Sequence, residues 1–259
     1  MLQADLDSLD LWCRNNNLPL NLSKCCQVTF TRKRHPLFHQ YTINNSPLDI
    51  KSEIRDLGVI LDSKLTFHPH INKMLKSIRS TIGFLYRHSQ YFSSPDTLLT
   101  LYYALVRSRL EFASTIWHAN TEKATLIEKV QEKFLRYLYK KQFHYYPFDI
   151  PYAELLEGYQ LQSLSTRRKT ASIMFISNIL TNKIDDSYLL GKINIHVPRT
   201  NSRTNNTLNI PRHRTKFYGN SPILNAIRNS NNFIKNHPEL DLLDPTGKRE
   251  LHVTLKSLK

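Results

Sequence analysis

Ile71, Met74, Leu75, Ile78, Ile82 and Leu85 recur at steps of three and four, which places them on one stripe of a helix. Lys73, Lys76, Arg79 and Arg87 fall largely off that stripe, so the helix is long and basic. Ser94-Pro95-Asp96 reads as the next helix start, a capping serine before a proline whose missing N–H costs nothing at the first helical position. Leu98, Leu99, Tyr102, Leu105 and Val106 carry that helix toward Leu110. A third helix is expected from Glu122 to Tyr139, with Leu126, Val130, Phe134 and Leu138 on its stripe, and a fourth from Ser163 to Thr181. Residues 69–197 therefore read as a helical bundle.

The chain before residue 69 has a different texture. Leu2, Leu6, Leu9 and Cys13 predict a helix that packs by that stripe and ends near Asn15–Asn17 and Pro19. Gln27–Thr31 and Gln40–Ile43 are rich in strand formers and read as a hairpin joined by a basic segment. Ile54–Asp62 reads as one strand, with Leu57, Val59 and Leu61 on one face and Gly58 and Ile60 on the other. So small a sheet is marginal in water and reads as the margin of a larger one, leaving Val28, Phe30, Val59 and Leu61 exposed and prone to self-association. After Pro198, Arg203, Arg212, Arg214 and Lys216 accumulate in a stretch free of acids, with a short helical piece at Pro222–Ile234. The fold class is α+β: a small antiparallel sheet margin with one helix over 1–68, the bundle over 69–197, and a partly disordered, flexible basic tail over 198–259.

Lys and Arg number 36 against 21 Asp and Glu, a net charge of +15 that points to a polyanionic partner, nucleic acid before an acidic membrane. Three cysteines without a Cys-x-x-Cys pair support neither a disulfide framework nor zinc, and suit a reducing interior, cytoplasmic or nuclear. The first residues lack a signal-peptide pattern, and no apolar run is long enough to span a bilayer. Six widely scattered glycines form no phosphate cradle, which argues against ATP and NAD sites, and Gly-x-Ser-x-Gly is absent. His68 and His70 lack further ligands at metal-binding spacing. Asp185-Asp186 reads as a solvated turn. Asp56 and Asp62, about 20 Å apart along a strand, are too distant to share ions roughly 4 Å apart, and are assigned to turns.

LQADLDSLDLWCRNNNLPLNLSKC, RDLGVILDSKLTFHPHI, LYYALVRSRLEFASTIW and IEKVQEKFLRYLY, in that order, resemble the reverse transcriptase of non-LTR retrotransposons, especially the jockey-like group. The resemblance implies that residues 1–68 are a partial palm with motifs D and E and that the bundle is the thumb. It implies Lys24 as the motif D lysine near the incoming nucleotide's phosphates; a solvated lysine before a strand is the plain alternative. Leu57, Gly58 and Val59 would form the primer-grip turn of the motif E hairpin at the nascent 3′ end, or else a bulge or tight strand contact. Lys73, Lys76, Arg79 and Arg87 would contact backbone phosphates, or form an ordinary solvated face. The family's Tyr or Phe, any residue, then Asp-Asp is missing, as is its earlier Asp, so magnesium would be bound by an upstream palm and no cofactor is expected here. The chain thus reads as a truncated RNA-directed DNA polymerase, inactive alone, whose partner is an RNA or DNA template–primer duplex, with no small-molecule substrate and no membrane. The alternative is a non-catalytic nucleic-acid-binding module derived from the thumb.

Overall fold

The computed structural model describes residues 2–91, 94–117, 123–197, 206–240, 242, 251, 254 and 255. It divides into two units, Met1–Asn72 and Lys73–Lys259.

In the first unit α1 (Leu2–Asn15) is followed by a 3₁₀ turn (Leu22–Lys24), β1 (Cys26–Gln27), β2 (Thr42–Ile43), β3 (Ser46–Pro47), β4 (Asp49–Ile50), β5 (Glu53–Asp56) and β6 (Val59–Asp62). The α1 stripe is shallower than its spacing suggests: Cys13 is buried, whereas Leu2 and Leu9 are about half exposed. A polar clamp helps to hold the helix instead. The Gln3 amide donates to the Thr42 carbonyl at 2.8 Å and accepts the Thr42 N–H at 3.0 Å.

The expected hairpin between 27–31 and 40–43 is not the pairing found. β1 pairs in parallel with β4, and β2 turns back on β3 through Asn44 and Asn45, both at positive φ. Asparagine tolerates that conformation, which fixes a two-residue turn there. The Gln27 side chain bridges the two stretches, donating to His39 O and accepting from Tyr41 N. Nor is Ile54–Asp62 one strand: it reverses at Leu57-Gly58 into the antiparallel pair β5–β6, with Asp56 opposite Val59 and Glu53 opposite Asp62. Asp56 and Asp62 therefore lie on different strands. Of the residues expected to be left open, Val59 is buried, Val28 and Leu61 are half-buried, and Phe30 is exposed.

α2 (His68–His88) begins in the first unit and runs on in the second. There follow α3 (Pro95–Tyr102), a π-helical turn (Tyr103–Arg107), α4 (Ser108–Glu111), α5 (Ser114–Trp117), α6 (Ala124–Phe143), α7 (Tyr152–Gly158), α8 (Leu164–Leu180), α9 (Ser187–Leu190), α10 (Lys216–Gly219) and α11 (Pro222–Asn236). Leu98, Tyr102, Val106 and Leu110 are all buried. Steps of four would drift about 40° each on an α-helix, and the wider π turn takes up that drift so that all four stay inward. On α6 the stripe is Ile127, Val130, Phe134, Leu135 and Leu138, with Leu126 turned outward; Glu122 lies outside the described residues. The Tyr102 ring stacks on Phe134 at 4.4 Å. Trp117 is buried, its Nε1 donating to Phe112 O.

α8 and α11 share a second core of Ile176, Ile179, Leu224 and Ile227. Leu208 joins it, because the Asn231 amide accepts its N–H at 2.9 Å and donates to its carbonyl at 2.8 Å. Part of the basic region after residue 198 thus has a fixed place; Arg203 lies outside the described residues.

Candidate nucleic-acid interface

The β5–β6 turn contains two residues in the left-handed region, Leu57 at φ 43° and Gly58 at φ 89°. That backbone suits a two-residue hairpin, and glycine adopts it freely, but leucine does not. Leu57 is nevertheless 89% exposed, so it contributes little packing in return. Behind it Val59 and Ile60 are buried. The Ile60 N–H donates to His70 Nδ1 at 3.3 Å, anchoring the strand to the first turn of α2. Burial, then the charge of Arg55, keeps the His70 pKa below its ordinary value, which suits an accepting Nδ1. At the other end Asp62 accepts the N–H groups of Thr66 and Phe67 at 2.8 Å each, and that of Lys64 at 3.3 Å. Burial works against the carboxylate, but these donors and the Thr66 hydroxyl outweigh it and hold the Asp62 pKa below the ordinary range. A fixed hairpin thus carries an exposed, conformationally costly tip. Lys24, the last residue of the 3₁₀ turn, is exposed elsewhere in this unit.

In the second unit the α2 side chains sort by sign of burial. Met74, Leu75, Ile78, Ile82 and Leu85 are buried, while Lys73, Lys76, Arg79 and Arg87 are exposed. At about 100° per residue the four cations fall within an arc of about 120°, opposite the buried stripe. No acid occurs between Asp62 and Asp96, and among the described residues none of the four pairs with a carboxylate. The flank is extended from outside the helix: Arg109 of α4 donates to the hydroxyls of Thr81, at 3.0 Å, and Ser77. Sequence reasoning missed Arg109, since its partners stand far away in the chain. The acid-free run was a visible sign that this face stays uncompensated.

Elsewhere in this unit a polar network joins α3, α6, α7 and α8. Gln131, fully buried, accepts from the Tyr102 hydroxyl at 2.7 Å and its amide donates to Tyr152 Oη and Gln162 O. Tyr152 in turn donates to Glu128, whose carboxylate also accepts the N–H groups of Leu164 and Ser165, capping α8 from another helix. Burial first, then the Glu128 hydrogen bond, pushes the Tyr152 hydroxyl far above its ordinary pKa, so it stays a donor.

An 81-residue segment, 31% of this chain, is 41% identical to the RNA-directed DNA polymerase from mobile element jockey of Drosophila funebris. The chain is similar to reverse transcriptases of non-LTR retrotransposons. The Drosophila melanogaster jockey polymerase is 31% identical over 82 residues, and a probable RNA-directed DNA polymerase from transposon X-element of that species is 29% identical over 131 residues, 48% of this chain. The matched segments span 9% to 14% of the length of these curated relatives. No family model and no solved structure matches the chain.

Polymerases of this kind need carboxylates to hold metal ions. Among the described residues no three His, Cys, Asp or Glu side chains group in a way that could hold one. Asp186, in the adjacent acidic pair, accepts the Leu189 N–H at 3.0 Å and caps α9. Among the described residues no helix is long and apolar enough to cross a membrane.

Proposed function

We propose that this chain is the palm margin and thumb of a non-LTR reverse transcriptase, that it binds a template–primer duplex, and that it does not extend a primer by itself. The observation that carries this reading is the exposed, acid-free row Lys73, Lys76, Arg79 and Arg87 on α2, in a chain similar to RNA-directed DNA polymerases. Lysine and arginine heads along a rigid helix neutralise successive phosphates without reading bases, which is what holding a duplex of any sequence requires. The Leu57-Gly58-Val59 turn is the reading's primer grip: a hairpin tip without a bulky side chain at Gly58 lets backbone approach a strand end, and the cost of Leu57 is consistent with a functional tip. Lys24 is assigned to phosphate contact on the resemblance alone.

Two assays test the proposal with the purified chain. Binding to a labelled template–primer duplex is expected to weaken steeply with salt, and magnesium-supplemented primer extension is expected to give no product. Salt-insensitive binding would refute the duplex role, and synthesis would refute the claim of inactivity.

A further inference from the structure

A second surface lies at the far end of α6, where neither the resemblance nor the α2 row assigns anything. From Lys133 to Phe148 the chain holds no acid, and in that run Phe143, Tyr145 and Phe148 are 53%, 52% and 77% exposed. Asp149 follows directly, and its carboxylate accepts from the Tyr145 hydroxyl at 3.4 Å. Phe143 packs one side on Tyr139 and Phe148 one side on Tyr146, ring centroids 4.5 Å apart in each pair, which leaves the rest of each ring to solvent. Aromatic rings are usually hidden, and three exposed ones so close in sequence point to a partner.

The loop that presents them is held by its own bonds. Arg136 donates to the Pro147 carbonyl, Pro147 is buried, and the Phe148 N–H returns to Tyr146 O at 2.9 Å. The helix ends at His144 in a left-handed conformation, φ 55°, which turns the chain sharply into this loop. Lys140 is exposed beside it. Arg136 is already committed to Glu132 and Pro147, so Lys140 and its neighbour Lys141 are the local source of positive charge.

We propose that Phe143, Tyr145 and Phe148 form a stacking platform for the unpaired bases of a single-stranded nucleic acid, with Lys140 contacting its phosphates. Rings exposed at the end of α6 and on the fixed loop after it suit bases, whose π faces stack irrespective of sequence, and the flanking lysines suit the strand's charge. A duplex, with its bases already stacked on each other, gains nothing from such a surface. The inference does not depend on the α2 row and survives if that row binds nothing.

The test uses the whole chain, a labelled oligo-dT and an abasic oligonucleotide of equal length. Oligo-dT is expected to bind more tightly than the abasic strand, and Phe143→Ala with Phe148→Ala to weaken oligo-dT binding by roughly tenfold or more while abasic binding stays unchanged. Because these rings are exposed, the circular dichroism of the variant is expected to match the parent. Phe148→Trp supplies an independent readout: its fluorescence is expected to be quenched by oligo-dT and not by the abasic strand. Neutralising Lys73, Lys76, Arg79 and Arg87 is expected to leave that quenching in place. Equal affinity for the two strands, or Phe148→Trp fluorescence that responds only to protein concentration, would overturn the proposal, the latter by pointing to a second copy of the chain as the occupant.

Discussion

The guanidinium of Arg87 lies over Gly83, its Nη1 3.5 Å from the position a Cβ would occupy. Glycine in mid-helix costs about 1 kcal/mol relative to alanine, and the space it leaves open here is at ordinary contact distance from Arg87. Gly83→Ala is therefore expected to stabilise the chain by about 0.5–1 kcal/mol in urea unfolding, with duplex affinity nearly unchanged.

Leu57 presents the opposite balance. Asparagine accepts the left-handed turn conformation more readily, so Leu57→Asn is expected to stabilise the hairpin by about 0.5–1 kcal/mol. If the turn meets a primer end, the same change weakens binding to a recessed 3′ end relative to a blunt duplex. Stability and the two affinities, measured side by side, check both halves.

Two groups give the fold a pH dependence. The folded His70 pKa lies below its ordinary 6.5, so the unfolded chain takes up the proton first; its contribution to stability is complete above about 6.5 and is lost as pH falls below that toward the folded value. Asp62 is lowered from 3.8, so its contribution is present above that value and is lost as pH falls through the folded one. Urea midpoints across a pH series are expected to show both losses, the first flattened by His70→Gln and the second by Asp62→Asn.

Gln131 joins groups from several helices, and removing it strands them. Gln131→Leu leaves the buried Tyr102 hydroxyl without its acceptor and is expected to cost about 3 kcal/mol. Adding Tyr102→Phe removes the stranded hydroxyl and is expected to recover part of that loss, a coupling that a double-mutant cycle in urea measures directly.

Legibility in the sequence followed the kind of interaction. The α8 limits were readable because Ser163 caps with its own side chain, accepting the Thr166 N–H. The α2 stripe and its outward cations were readable because one helix carries both. The reversal at Leu57-Gly58 was hidden from periodicity, since leucine is a poor turn residue and the flanking Val, Ile and Leu imitate an uninterrupted strand; the resemblance alone implied a hairpin there. The Gln3 clamp on Thr42 and the Arg109 bonds to Ser77 and Thr81 were unreadable for another reason: polar side chains that meet across long separations leave no periodic trace.

The most direct test of the account is the salt dependence of duplex binding for the parent and for the variant Lys73→Gln, Lys76→Gln, Arg79→Gln, Arg87→Gln. Each phosphate contact contributes about 0.9 to the slope of log affinity against log salt, so losing four is expected to flatten the slope by about 3 to 4. An unchanged slope would place the duplex elsewhere on the molecule and contradict the assignment of the α2 face.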